Sequence, residues 1–177
     1  MGKYYDLPVF GLGGSTDSKV LDHQCGMEAT VSLMTALLHG ANIVHDVGFM
    51  DAGLQGSLQL QVMCNDTIGF LRAATAGVAV TDETLALDVI DELGPTGSFL
   101  GHDHTIRHYK EPFYSKLIDK NQYSVWQKRG ATTMEERAAK QIDAILASHQ
   151  VEPLLEDVQK ALHAIIEREQ AWINSKE

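Results

Sequence analysis

The sequence lacks the features of membrane-spanning, secreted and disulfide-linked proteins. It contains two cysteines, Cys25 and Cys64, which are too few and too far apart for a disulfide framework or a paired-cysteine metal site. Both lie among apolar residues of predicted helices, so we interpret them as core thiols. No apolar run approaches the roughly 20 residues of a membrane helix, and the first residues contain no apolar signal segment. We therefore expect a protein of the reducing cytoplasm that does not enter a membrane.

Positive charge is scarce as well. The chain has 14 Lys and Arg residues against 24 Asp and Glu residues, which gives a formal net charge of -10. Because phosphate contacts need clustered Lys and Arg side chains, this balance argues against a nucleic-acid partner. An acidic surface mostly serves solubility, so the function has to be sought in local patterns.

Short β-type runs alternate with helical patterns over the first two thirds of the chain, as is typical of βα units around a parallel sheet. We predict strands at residues 7–10, 41–44 and 98–100, and helices at 22–39, 57–75, 82–93 and 135–148 and from 153 onward. Residues 1–110 should form the βα units, and residues 111–177 a helical extension of the same domain. Three strands cannot close an eight-stranded barrel, which takes about 250 residues. The pattern therefore indicates either a small open α/β sheet or part of a larger barrel.

A glycine-rich turn follows the first predicted strand. Its Gly13 and Gly14 would let the backbone approach a ligand or a neighbouring segment of the chain. The dinucleotide pattern G-x-G-x-x-G is not completed, because Thr16 stands where its last glycine belongs, and the P-loop pattern is absent as well. A ligand-binding turn and a purely structural turn both remain open.

The second predicted strand ends in His45 and Asp46, with Phe49 and Asp51 just beyond. A histidine beside a carboxylate after a parallel strand suits acid–base chemistry or the binding of a cationic substrate. Adjacent side chains point to opposite sides if the strand continues. One member of the pair could therefore be structural.

The third predicted strand ends in a histidine cluster formed by His102, His104 and His108. The spacing H-x-H can bind a metal, since alternate residues of a strand face the same way. A closed metal site needs a third and a fourth ligand, and the sequence offers none with a clear identity. We therefore expect no metal, and interpret the cluster as the polar lining of a site.

Four segments, taken together and in order, resemble the trimethylamine methyltransferase family. They are LPVFGLGGSTDSKVLDHQ, GANIVHDVGFMDAGLQGSLQL, VTDETLALDVIDELGPTGSFLGHDHTIRHYKEPFYSKLIDKNQYSVW and ERAAKQIDAILASHQ. The resemblance implies a TIM (β/α)8 barrel, of which this chain would be the C-terminal part, followed by C-terminal helices. It also implies methyl transfer from a methylated amine to the cobalt of a corrinoid on a separate protein.

Members of this family act on trimethylamine or on quaternary amines such as betaines. The trimethylamine enzymes carry pyrrolysine, and none is written in this sequence, which favours a quaternary-amine relative if the chain spans the pyrrolysine position. Family enzymes are also considerably longer, so we expect an N-terminal part beyond this chain. The corrinoid-carrier motif Asp-x-His-x-x-Gly is not completed, because His23 comes one place too early after Asp22. The chain is therefore expected on the methyl-donor side, with no cofactor bound tightly to it.

The active site of a TIM barrel lies at the C-terminal ends of its strands. Polar side chains follow all three predicted strands, around Asp17, around His45 and Asp46, and around His102 and His104, so these three clusters would converge there. A quaternary ammonium has no proton to give, so its recognition should depend on carboxylates and aromatic faces. From their places at the predicted strand ends we assign roles to nine residues: His45 and Asp46 at the reacting centre, Asp17, Phe49, Asp51, His102 and His104 around the substrate, and Gly13 and Gly14 toward the corrinoid.

The expected partners are a small methylated amine, the cognate corrinoid protein and further copies of the chain in a homo-oligomer. One alternative is a catalytically inactive fragment or assembly piece, because part of a barrel leaves open sheet edges that must be covered. Another is an unrelated lyase or isomerase on the same barrel, since a fold does not fix chemistry.

Overall fold

The computed structural model describes residues 1–176 and shows a helix-rich α/β chain. Its elements are β1 (Phe10–Leu12), α1 (His23–Leu38), β2 (Ile43–His45), β3 (Phe49–Met50), β4 (Gln55–Gly56), α2 (Leu58–Thr75), α3 (Asp82–Leu85), α4 (Leu87–Leu93), α5 (Asp103–His108), α6 (Tyr123–Lys128), α7 (Met134–Ser148) and α8 (Glu156–Asn174), with short 3-10 turns at Gly2–Tyr5 and Asp51–Gly53. Residues 1–144 form one compact unit, and the residues from 145 onward form a second.

A βα unit opens the first compact unit, as predicted. β1 pairs parallel with β2 in the register Phe10↔Ile43 to Leu12↔His45, and α1 connects the two strands. α1 starts where the sequence indicates, because the side chain of Asp22 accepts a hydrogen bond from the backbone N–H of Cys25. Gly40 follows the helix in the left-handed conformation, with a φ of 68°.

Both strands begin two or three residues later than predicted. Pro8 has no N–H to donate to a ladder, and the N–H of Val9 donates to the side chain of Asn42 instead of to a strand. The carbonyl of Val9 accepts from the N–H groups of Asn42 and Ile43. Regular pairing therefore starts only at Phe10.

Two predictions from the sequence are wrong. Residues 98–100 form no strand and instead lead through a turn into α5. The helix predicted over residues 82–93 is divided into α3 and α4, because Ala86 adopts a left-handed conformation with a φ of 49°. Within residues 1–176 the β structure consists of two two-stranded sheets, β1–β2 and the antiparallel β3–β4, and no barrel is closed.

The main hydrophobic core lies between α1 and α2 and beneath the loop that follows β1. Its buried members are Cys25, Ala29, Leu33, Met50, Leu60, Cys64 and Leu71. The prediction of core thiols is thus confirmed, and both cysteines are free. Burial raises the pKa of Cys64 to about 12, so this thiol stays protonated and packs as a small apolar group. The loops that follow β1 and β2 pack against this core.

The second compact unit contains α8, which confirms the helix predicted beyond Pro153. Glu156 and Asp157 occupy its first turn, where negative charge is favourable at the positive end of the helix dipole. None of the residues described in α8 is buried. No helix within residues 1–176 is both long enough and apolar enough to cross a membrane.

Candidate functional site

The loops that follow β1 and β2 run side by side and extend the pairing of the two strands. Four backbone hydrogen bonds of 2.9–3.1 Å join them: Gly13 N to His45 O, Gly48 N to Gly14 O, Thr16 N to Phe49 O and Asp51 N to Ser18 O. Two of the predicted polar clusters are thereby held next to one another at the carboxyl ends of the parallel strands. This is the edge at which α/β proteins place their ligands.

The two glycines of the first loop are required by close packing. A Cβ atom on Gly13 would lie 3.0 Å from Val44 Cγ1 and 3.3 Å from Leu33 Cα. Gly14 has a φ of 77°, and a Cβ atom there would lie 3.3 Å from the backbone of Val47. The chain itself therefore fills the space beside both glycines. Contact between them and a corrinoid stays a prediction.

Glu28 on α1 anchors the first loop, a role that the sequence analysis missed. Its Oε2 accepts from the Thr16 hydroxyl at 2.6 Å and from the Asp17 backbone N–H at 2.8 Å, and its Oε1 accepts from Gln24 at 2.9 Å. These hydrogen bonds, led by that from Thr16, lower the pKa of Glu28. Glu28 is therefore ionised at neutral pH. The spacing of Gln24 and Glu28 on one helical face was the local signal available for it.

Asp46 follows β2 directly and has a φ of 68°, a left-handed conformation that is uncommon outside glycine and found more often in Asn and Asp. It begins a turn in which its carbonyl accepts from the N–H of Phe49 at 3.2 Å. His45 Nδ1 lies 2.7 Å from Asp46 Oδ1, and the His45 ring stacks on Phe10 with centroids 4.3 Å apart. His45 is thus placed to hold the carboxylate of Asp46.

A cavity of about 760 Å³ lies against these loops and α1. Three carboxylate residues line it, namely Asp17, Glu28 and Asp46. Apolar side chains complete much of the lining: Leu12, Met27, Val31, Phe49 and Ala52. The lining, all within the described part of the chain, contains no Lys, Arg or His. Such a cavity suits a small cation that carries apolar substituents.

Three of the predicted site residues therefore line this cavity: Asp17 and Phe49, predicted around the substrate, and Asp46, predicted at the reacting centre. Asp51 lies in the adjoining turn, where its Oδ1 is 3.4 Å from the ammonium of Lys19. His45 and Asp51 are not among the lining residues identified in the described chain. A catalytic role for His45 and substrate contact by Asp51 stay predictions.

The predicted histidines lie apart from the cavity lining, because the strand expected to deliver them is not formed. His102 caps α5, and its Nδ1 accepts from the backbone N–H of His104 at 3.1 Å. His104 Nε2 donates to the Glu83 carbonyl oxygen at 2.8 Å, and His108 Nε2 lies 2.9 Å from Glu83 Oε1. Substrate contact by His102 and His104 stays a prediction.

Glu83 is the centre of this second cluster. Hydrogen bonds from His108 and then from Arg107 lower the pKa of Glu83 to about 2. The same contact with Glu83, followed by that with Glu111, raises the pKa of His108. Four charged or ionisable groups of the segment between residues 83 and 111 are thereby joined.

Comparison with known proteins shows that residues 1–174 match the family described as Trimethylamine methyltransferase (MTTB). A trimethylamine methyltransferase of Desulfitobacterium hafniense is 35% identical over 167 residues, which cover 94% of this chain and 34% of that protein. One from Methanosarcina barkeri is 29% identical, over 95% of this chain and 34% of its own length. A glycine betaine methyltransferase of Desulfitobacterium hafniense is 32% identical, over 94% and 35% respectively. The chain thus spans about a third of the length of these curated relatives.

Proposed function

The chain belongs to the trimethylamine methyltransferase family, and from that premise we propose that it takes part in moving a methyl group from a methylated amine to a corrinoid held by a separate protein. The chain would bind the amine, and the corrinoid would supply the cobalt that accepts the methyl group. We further propose that β1 and β2 are neighbouring strands of a barrel and that the chain forms homo-oligomers. A cytoplasmic setting is also proposed, and the two free thiols support it.

The observation that carries this proposal is the acidic cavity at the carboxyl ends of β1 and β2. Asp17, Glu28 and Asp46 supply negative charge, and Phe49 supplies an aromatic face. A carboxylate and a ring face together recognise a quaternary ammonium, which offers no N–H for a hydrogen bond. Quaternary amines are therefore the preferred substrate class, and trimethylamine is the alternative.

The charges also define what these residues do during the reaction. When a methyl group leaves a quaternary amine, the C–N bond breaks and its electron pair stays on nitrogen, so the product is a neutral tertiary amine. A carboxylate beside the nitrogen stabilises the cationic substrate more than the transition state, in which the positive charge on nitrogen is already falling. We therefore assign Asp46 to substrate binding, with His45 as a positioning residue that acts through the 2.7 Å contact to its carboxylate.

Binding tests this assignment directly. Glycine betaine, tetramethylammonium and trimethylamine are titrated into the purified chain by calorimetry, and Asp46→Asn is compared with Asp88→Asn, which removes an exposed carboxylate of α4. Asp46→Asn should weaken binding by about fivefold or more, equivalent to ~1 kcal/mol for a partly exposed ion pair. Equal affinity in both variants would remove Asp46 from the binding site.

A second candidate function is a non-catalytic assembly piece. It is favoured by the two-stranded parallel sheet, whose outer edges carry no partner strand within residues 1–176. Mixing the chain with a reduced corrinoid protein and a bound amine, and following loss of one methyl group from the amine by NMR, distinguishes the two. Amine binding without demethylation would favour the assembly piece.

A further inference from the structure

The second polar cluster has the composition of a metal site. Glu83 lies in α3, while His104 and His108 lie four residues apart on α5, so both imidazoles face the same side of that helix. Their ring centroids are 4.4 Å apart. A pair of histidines at this helical spacing together with a carboxylate is a combination that binds zinc in proteins.

The distances between the three groups fit such an ion. One nitrogen from each histidine and one oxygen from Glu83 lie within 4.8 Å of one another. His108 Nε2 is 2.9 Å and His104 Nε2 is 3.9 Å from Glu83 Oε1. Donors around tetrahedral zinc, with bonds near 2.1 Å, are spaced by about 3.4 Å. Small side-chain rotations would bring all three donors to that spacing.

Glu111 supplies the supporting contact that metal-bound histidines usually have. His108 Nδ1 lies 2.6 Å from Glu111 Oε1, while its Nε2 faces Glu83. A carboxylate on the outer ring nitrogen orients the imidazole and increases its basicity toward a metal. His108 is thus oriented with Nε2 toward the centre of the cluster.

We propose that Glu83, His104 and His108 bind a divalent transition metal of the zinc type, with at least one coordination position left for water or another ligand. The metal would displace the proton of His108 Nε2 to solvent, while His104 would carry its single ring proton on Nδ1 and give up the hydrogen bond from Nε2 to the Glu83 carbonyl. Arg107 Nη2 now donates to Glu83 Oε1 at 3.0 Å and would have to move to the other carboxylate oxygen or to solvent.

The site would join two helices that little apolar packing holds together. Within the fully described segment 81–111, Val89 is the only buried residue. A bound metal would connect α3 to α5 across about 20 intervening residues of sequence and stabilise the folded arrangement of that segment, because it binds the assembled ligands more tightly than the unfolded chain. This role is independent of the proposed methyl transfer.

The test uses Zn²⁺ alone with the full chain, freed of metal by dialysis against a chelator. Calorimetry and elemental analysis should give one equivalent per chain, and Co²⁺ in place of Zn²⁺ should give the visible absorption of a low-coordinate site. Glu111→Gln should weaken binding by about tenfold through loss of the supporting contact. Glu83→Gln and His108→Ala, which remove ligands, should weaken it further.

His23→Gln is the matched control, because it removes an exposed histidine at the start of α1, and its affinity should equal that of the unmodified chain. Arg107→Gln should strengthen binding, since it removes the competing donor on Glu83 without touching a ligand. Circular dichroism of each variant identifies any that fail to fold. Zn²⁺ binding that survives in the folded double variant His104→Ala/His108→Ala, or is absent from the unmodified chain, would overturn the proposal.

Discussion

The acidic cavity and the Glu83 cluster are held in place by different forces. The cavity rests on an apolar core from α1 and α2, in which Leu60 and Cys64 are 2% exposed. The Glu83 cluster lies in a segment whose only buried residue, among those described between 81 and 111, is Val89. Hydrogen bonds among Glu83, Arg107, His108 and Glu111 connect its elements instead.

This difference separates two kinds of sensitivity. Apolar burial is insensitive to pH and to metal ions and responds mainly to the loss of volume. Contacts between exposed charges contribute little stability by themselves and are screened by salt. The cavity region should therefore lose stability when its packing is changed, and the segment around Glu83 should lose stability when pH, salt or metal ions change.

The largest expected effect comes from removing volume beneath the cavity. Leu60→Ala should lower the free energy of unfolding by about 3 kcal/mol, because the surrounding helices cannot fully collapse into the space left behind. Urea unfolding measures the change. The control Leu87→Ala truncates a leucine of α4 that is 65% exposed, and it should change stability little. Equal losses of unfolding free energy in the two variants would show that both regions depend on apolar packing to the same extent.

A smaller effect is expected at the glycine turn. Gly14→Ala should cost about 2 kcal/mol, since an L-residue is strained at a φ of 77° and its Cβ would lie 3.3 Å from Val47. Gly77→Ala has nearly the same strain at a φ of 79°, but no described atom lies within 4 Å of the added Cβ. Thermal unfolding of both variants isolates the contribution of packing. If Gly77→Ala proves the more damaging, the crowding assigned to Gly14 is wrong.

The smallest expected effect is the acid sensitivity that Glu28 gives to the cavity region. The pKa of Glu28 in the folded chain lies below its usual value of 4.5, so its contribution to stability is present above pH 4.5 and is lost as the pH falls through the folded-state pKa. Glu28→Gln should flatten stability against pH in that acidic window while leaving a constant loss at neutral pH. If the stability of Glu28→Gln falls with acid as steeply as that of the unmodified chain, other carboxylates cause the acid sensitivity.

Local sequence signals located most of the helices and the first parallel pair of strands. Asp22 and Ser57 act as the caps that their positions indicate, because helix capping is decided within a few residues. The break at Ala86 has no such signal in the sequence, since alanine favours helix and rarely adopts the left-handed conformation found here. Residues 98–100 have strand-like composition, but a strand also needs a pairing partner, which local composition does not reveal.

The site residues also differ in whether local sequence signals could predict them. Asp17, Asp46 and Phe49 were predicted together because parallel strands bring their carboxyl ends to one edge. Glu28 and Glu83 were missed because their partners are distant in sequence: Glu83 meets His108 25 residues away. Histidine spacing alone was compatible with a metal ligand pair, but the sequence offered no clear further ligand and we predicted no metal. The proximity of Glu83 to His104 and His108 became visible only in the folded chain.

The mode of attachment of the first loop has a consequence for engineering the cavity. Glu28 holds residue 17 through its backbone N–H and holds Thr16 through its hydroxyl, so the side chain of Asp17 takes no part in either bond. Position 17 can therefore be varied while the loop keeps its anchor. A library of substitutions at this position would alter the charge and size accepted by the cavity without selecting at the same time for variants that fail to fold.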